Sequence, residues 1–255
     1  MLLVIDAGNT NISIGAYDKD ELIFVSRLAT DRTVTVDRIA IDVNSIFALN
    51  SIPNDSFEGA IISSVVPEIT VAIKKAVEKI IGCEPLIVGP GLKTGLNIKV
   101  DNPATLGADL VVGAVGAISQ YRLPCFVIDL GTATKISVID ENGVYRGCTI
   151  SPGVAISLAA LANGASQLSH ISLLAPSHVI GTNTIDCMRA GSVYGTADML
   201  DGLCSRMEKE LGMKARTIVA TGGLCSIAEY CTHKIVLNPN LLLEGLKTVY
   251  EKNSR

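Results

Sequence analysis

The chain has no tryptophan, and Phe and Tyr together bring the aromatic share only to 4%. Single-stranded nucleic acid is held by base stacking on such side chains, so that class of partner lacks its platform. A basic cluster is also missing and the formal net charge is −4 at pH 7, which removes the electrostatic footprint of a nucleic-acid binder. The seven cysteines, at 83, 125, 148, 187, 204, 225 and 231, form no C-x-x-C pair, and the three histidines do not cluster near them. Zinc spacing is thereby excluded. With no basic stretch leading the N-terminus, reduced thiols and a cytoplasmic location are expected. The Gly-rich stretch at 89–100, GPGLKTGLNIKV, matches neither G-x-G-x-x-G nor the Walker pattern, and reads as a loop entering a short strand. Residues 147–185 hold no Asp, Glu, Lys or Arg but contain two prolines and four glycines. That composition suits a buried interface better than a membrane span.

What is present is a doubled motif. At 255 residues and 48% hydrophobic content, one large or two medium domains are expected. Leu2–Gly15 reads LLVIDAGNTNISIG: an apolar run ending in Asp6, a small turn, and an alternating return. This pattern predicts a β-hairpin with a carboxylate, a glycine and short polar side chains at its tip. Such a tip can be an ordinary tight turn. It can also hold a metal–phosphate group, with glycine admitting a phosphate to the backbone amides and Asp6 placing Mg²⁺. Phe126–Asp140 reads FVIDLGTATKISVID. Asp129 matches Asp6, Gly131 matches Gly8 and Thr132 matches Asn9. The offset is close to half the chain, which points to a duplicated domain rather than a solenoid. The expected division is 1–117 and 118–255.

Along the chain, a third strand is expected at Glu21–Ala29 and a helix beginning near Val36. Residues 59–66 read as a buried strand, Pro67 opens a helix through Lys79, and 85–88 form a short strand. Asp109 is expected in the turn before a helix at Val111–Ser119, where it is either an N-cap or a general base near a substrate hydroxyl. The second half repeats the scheme with strands at 126–130, 135–139 and 144–149. Helices follow at Val154–Ala162 and from Thr182 through Leu211. Thr221–Gly223 (TGG) ends a strand as a simple βα turn or a nucleotide contact. A short helix is expected at Ser226–Tyr230 and an amphipathic one closes the chain from Leu241. Three hairpin strands followed by helix, strand, helix, strand resemble the ribonuclease-H-like half of the actin and sugar-kinase superfamily.

Six motifs occur in order: D-x-G-N-T at 6–10, N-P-x-x-x-G-A-D at 102–109, D-x-G-T-A-T at 129–134, I-x-P-G at 150–153, N-T at 183–184 and T-G-G at 221–223. Together with SSVVP at 63–67 and VGPGLKTGLNI at 88–98, they resemble type III pantothenate kinase over essentially the whole chain. The resemblance implies an α/β fold of two tandem ribonuclease-H-like domains, the actin-like ATPase fold, with an interdomain cleft. It also implies a homodimer, ATP and pantothenate as substrates, Mg²⁺, and a monovalent cation (K⁺ or NH4⁺). By position, Asp6, Ala7, Gly8, Asn9, Thr10, Asn11, Ile12 and Ser13 would cradle the ATP phosphates, and Asp6 would be a candidate to hold Mg²⁺. Thr132 would contact ATP and Asp129 would bind the monovalent cation. Asp109 would be the base, and Val100, Gly107, Ala108, Leu110 and Thr184 would stand with it around pantothenate. Phosphoryl transfer works by positioning and charge neutralisation, which agrees with the lack of any Ser–His or Cys–His constellation.

The chain departs from the family pattern at several places. Leu110 stands where the family has Arg, Val100 where it has Tyr, Lys135 where it has Thr, and Cys148 where it has Gly. The segment usually ending T-A-x-L-P reads Gly164, Ala165, Ser166, Gln167, Leu168, Ser169. Leu offers no donor where Arg offers a fixed fork. An active pantothenate kinase is therefore one reading. A catalytically weakened paralogue with a binding or regulatory role, or a kinase of the same fold for another small hydroxyl compound, are the alternatives.

Overall fold

The structure, a computed structural model, describes residues 1–165, 168 and 171–254. Contacts divide the chain into two units: Met1–Leu96 with Asn102–Ser119 and Leu241–Arg255, and Asn97–Asp101 with Gln120–Asn240.

The first unit opens with three antiparallel strands, β1 (Leu2–Ala7), β2 (Asn11–Asp18) and β3 (Glu21–Ala29). Helix α1 (Val36–Leu49) follows, capped by Thr35, whose side chain accepts from the Arg38 amide. An unpaired helix-start amide is thereby satisfied. Next come β4 (Gly59–Ser64), α2 (Pro67–Ile81) and the short β5 (Leu86–Ile87). The sheet order is β3-β2-β1-β4-β5, with β4 parallel to β1 and β5. Leu3 and Ile5 pack in one core with Phe47, Ile69 and Ile73 of the two helices. Val4, on the other face, is also fully buried. A strand covered on both faces needs a continuous apolar run, and LLVI supplies it.

The second unit takes in the two-residue β6 (Asn97–Ile98), while α3 (Ala108–Gln120) belongs almost wholly to the first. Strands β7 (Cys125–Leu130), β8 (Ala133–Ile139) and β9 (Val144–Pro152) form the second antiparallel set. They are followed by α4 (Val154–Gly164), α5 (Thr184–Leu211), β10 (Thr217–Thr221), a 3-10 turn at Cys225–Tyr230 and β11 (Val236–Leu237). The sheet order is β11-β10-β7-β8-β9-β6. Read from β9 to β11, it repeats the first sheet strand for strand, with β6 added at the edge. The halves are thus built on one α/β scheme of the ribonuclease-H type.

Two expectations differ. The closing helix α6 (Leu241–Asn253) was expected with 118–255 but packs on the first unit, because its buried Leu243 meets the face of β1 and β2 that carries Val4 and Gly15. Residues 97–101 join the second unit because β6 pairs with β9. The stretch 147–185, expected as a buried interface, leaves Ile150 65%, Val179 66% and Ile180 85% exposed within the single chain, which leaves that expectation open. No helix among the described residues is long and apolar enough to cross a membrane.

The start of the 3-10 region's exit is pinned to α5 by Asp201. Its Oδ2 accepts from the Thr232 amide and hydroxyl, its Oδ1 from the His233 amide, and His233 Nδ1 lies 2.6 Å from Oδ1. Burial alone would raise this carboxyl, but the two amides and the two side chains outweigh it and hold it at about 2. A folded value below the unfolded one means stability that is present above pH ~4 and lost as pH falls towards ~2, worth roughly 2 kcal/mol. Asp201→Asn should therefore lose roughly 2 kcal/mol at neutral pH and flatten that acid limb, as read by urea unfolding across pH.

Candidate functional site

In the first unit the β1–β2 turn carries Asp6 to Ser13. Asp6 and Ser13 face each other in the ladder, as do Ala7 and Ile12, leaving residues 8–11 as the tip. The Gly8 amide donates to the Asn11 carbonyl at 3.0 Å, closing the tip on itself. Thr30 at the end of β3 braces it, its hydroxyl donating to the Gly8 carbonyl at 2.6 Å and its amide to the Thr10 carbonyl at 2.9 Å. A turn held from two sides keeps its backbone in one arrangement, as a phosphate-binding turn requires. Arg32 was not anticipated here. Its Nη2 donates to Asn9 Oδ1 at 3.0 Å and its Nη1 reaches Glu68, so a guanidinium stands at the tip.

Asp109 lies in the same unit. It is not an N-cap, as one reading expected, but sits in the first turn of α3, which begins at Ala108. Its Oδ1 accepts from the Leu110 amide at 2.8 Å, which fixes the side chain. Gly107, just before α3, lies beside Val65, and the Val65 amide donates to the Ala7 carbonyl at 3.1 Å. Asp109 is thus attached at the carboxyl ends of β1 and β4, the side of an α/β sheet where ligands bind. Ala108 and Leu110 flank it on that turn, half-buried.

The second unit carries the second hairpin. Asp129 is the last residue but one of β7, and Gly131 and Thr132 turn into β8. Here the register departs from a letter-by-letter match of the two motifs. Asp129 faces Lys135, and Leu130 faces Thr134. In register the equivalent of Lys135 is therefore Ser13, and the second turn is one residue shorter. Lys135 Nζ lies 2.7 Å from Asp129 Oδ2, with side chains only 14% and 17% exposed. Gly222 of the TGG turn packs against the same carboxylate. Its φ is +90°, and an added Cβ would lie 2.7 Å from Asp129 Oδ1 and 2.7 Å from the Leu130 carbonyl. Only glycine fits such a position. Thr132 stands at the turn, its carbonyl accepting from the Gly153 amide at 3.2 Å.

Val100 and Thr184 also belong to the second unit, whereas Gly107–Leu110 belong to the first. Thr184 opens α5 behind the N-cap Asn183, whose side chain accepts from the Asp186 amide at 2.9 Å. It lines a cavity of about 910 Å³ together with Thr134, Ser151, Ser157, Thr196 and Met199. Among the described residues the lining carries hydroxyls, the Asn183 amide, the Cys187 thiol and apolar groups, and no charged side chain. The Thr134 hydroxyl, on that wall, is buried without a hydrogen-bond partner. Of the departures around residue 165, Ser166, Gln167 and Ser169 lie outside the described residues.

The metal expectations separate. Among the described residues no group of three or more His, Cys, Asp or Glu could hold an ion. Mg²⁺ is commonly held by one or two carboxylates plus substrate phosphates, and a single carboxylate at the β1–β2 turn, Asp6, is compatible with that use. A monovalent cation at Asp129 does not fit. The Lys135 ammonium already faces that carboxylate, and two like charges about 4 Å apart repel by about 4 kcal/mol at an effective dielectric of about 20. All seven cysteines are free thiols, and burial pushes Cys125, Cys204 and Cys231 up to about 12.

A family model described as type III pantothenate kinase matches residues 2–206. A protein of that name from Exiguobacterium sp. is 43% identical over 256 residues, covering all of both chains. One from Listeria monocytogenes is 42% identical, covering 99% of this chain and 98% of its own. Among solved structures, component A of the (R)-2-hydroxyglutaryl-CoA dehydratase of Acidaminococcus fermentans superposes with a TM-score of 0.58 at 16% identity. It covers 100% of this chain and 99% of its own, which is a likeness of fold, the two-domain actin-like one. With full-length identity of that order and the D-x-G turns and Asp109 set at the carboxyl ends of their sheets, the chain belongs to the type III pantothenate kinase family.

Proposed function

We propose that the chain transfers the γ-phosphoryl group of ATP to the hydroxyl of pantothenate, giving 4'-phosphopantothenate, the first step towards coenzyme A. The observation that carries this reading is the full-length likeness to enzymes of that name. The braced β1–β2 turn and Asp109 on one unit support it. In the reaction, Asp6 to Ser13 bind the phosphates through turn amides and short polar side chains, and Thr132 adds a contact to ATP. Asp6 would hold Mg²⁺, which would supply neutralisation of the phosphate charge. Asp109 takes the proton from the pantothenate hydroxyl as the oxygen attacks phosphorus. Gly107, Ala108 and Leu110 flank Asp109 on the acceptor side of the first unit, Val100 and Thr184 are assigned to pantothenate by the family likeness alone, and the cavity beside Thr184 offers hydroxyls that suit amide and hydroxyl groups. The chain works as a homodimer in the cytoplasm, with the exposed apolar residues of 147–185 covered by a second copy.

Pantothenate-dependent ADP release from ATP and Mg²⁺ tests the reading. No release, with ATP binding retained, would favour a regulatory paralogue, which the donor-free Leu110 also suits. Leu110 stands in the first turn of α3 beside the base, where a donor would meet the acceptor. Leu110→Arg should therefore lower KM for pantothenate by about tenfold or more, the worth of one added hydrogen bond to a charged group. An unchanged KM would remove Leu110 from the acceptor site.

A further inference from the structure

We infer that the Lys135 ammonium is the chain's built-in monovalent cation at Asp129, so that the phosphoryl transfer proposed above, on which this inference rests, proceeds without added K⁺ or NH4⁺. The ladder itself delivers the charge. Asp129 and Lys135 are directly opposed residues of adjacent antiparallel strands, the arrangement in which opposite charges meet across a sheet. Nζ lies 2.7 Å from Oδ2, the distance of a charge-assisted hydrogen bond. On its other side, Oδ1 is hemmed by the turns of Gly131 and Gly222, where an added Cβ would come to 3.2 Å and 2.7 Å. The carboxylate is therefore boxed between two turns and one ammonium.

An alkylammonium and K⁺ carry the same single charge, and a lysine brings its charge tethered, at no dissociation. A second cation at Oδ2 would have to displace the ammonium or sit beside it against like charge. The first hairpin gives the contrast. Its Asp6 is opposed across the ladder by Ser13, a hydroxyl residue, where Asp129 is opposed by a lysine. The difference arises from one fewer residue in the turn, which brings position 135 opposite the carboxylate.

The test uses the whole enzyme and Lys135→Thr, in buffer free of K⁺ and NH4⁺, with choline chloride or KCl at equal ionic strength. Wild-type ADP release should differ by less than about twofold between the two salts, the residue of general screening. Lys135→Thr should fall by about tenfold or more in choline chloride and recover in KCl, since a preorganised charge has been lost and replaced. Melting temperature gives a readout independent of activity. KCl should raise it over choline chloride for Lys135→Thr alone, by binding the folded state. A wild-type enzyme that needs K⁺, or melts higher in it, overturns the inference whatever the variant does. A folded Lys135→Thr indifferent to K⁺ in both readouts overturns it as well. Should wild type release no ADP in either salt, the pantothenate reading fails, and the melting comparison still decides the cation.

Discussion

Asp109→Asn should lower pantothenate-dependent ADP release by about 10²–10⁴-fold, the range attributed to one positioned general acid or base. The substitution isolates the charge. In the native chain Asp109 Oδ1 accepts from the Leu110 amide at 2.8 Å, and an asparagine carbonyl oxygen can accept the same bond. The first turn of α3 is thus kept, and the melting temperature should move little. What is lost is the capacity to take a proton from the attacking hydroxyl. The loss should appear in kcat, with KM for ATP unchanged, because the phosphate turn at Asp6–Ser13 is untouched. Retention of most of the activity in a folded Asp109→Asn would remove Asp109 from the chemistry.

Gly245→Val should destabilise the chain by about 3 kcal/mol or more, at the upper end of overpacking. Here α3 and α6 meet backbone to backbone. An added Cβ at Gly245 would run into the Val112 carbonyl, and one at Gly116 would lie 2.6 Å from the Leu241 carbonyl. Neither obstacle is the tip of a side chain that could swing away. Helix α6 cannot retreat either, because Leu241, Leu243, Leu246 and Val249 are buried. The strain would instead displace α3, whose first turn carries Asp109. A lower unfolding midpoint in urea should therefore be accompanied by a lower kcat. A variant with wild-type stability would show that the two helices are not in backbone contact.

Much of this was legible in the chain because the signals were local. Val36 and Pro67 mark the starts of α1 and α2, since the helical period begins there behind the Thr35 cap in the one and on a proline in the other. The repeated V-I-D-x-G run announced two equivalent sheets. The parts that escaped depend on partners distant in sequence. Nothing around residues 241–253 says that α6 closes the first unit, because its apolar stripe would suit either sheet. Asp109 reads as a cap from its neighbours, yet α3 starts one residue earlier, at Ala108. Arg32 lies in an unremarkable segment, and only the return of β3 brings it to Asn9. Lys135 shows the limit best. Its letter was visible as a departure, but matching the two motifs in line set it against Ile12. The shorter second turn shifts the register and makes it the partner of Asp129. The apolar stretch 147–185 read as buried because composition does not say whether the cover comes from the same chain or from another.

The central claim is that this chain phosphorylates pantothenate. Its most direct test is to incubate the purified protein with ATP, Mg²⁺ and pantothenate and follow the mixture by phosphorus NMR. The account predicts a new phosphomonoester signal that grows with ADP, matches authentic 4'-phosphopantothenate, and is missing with Asp109→Asn. ADP appearing without that ester, or no change in a folded protein that still binds ATP, would contradict it.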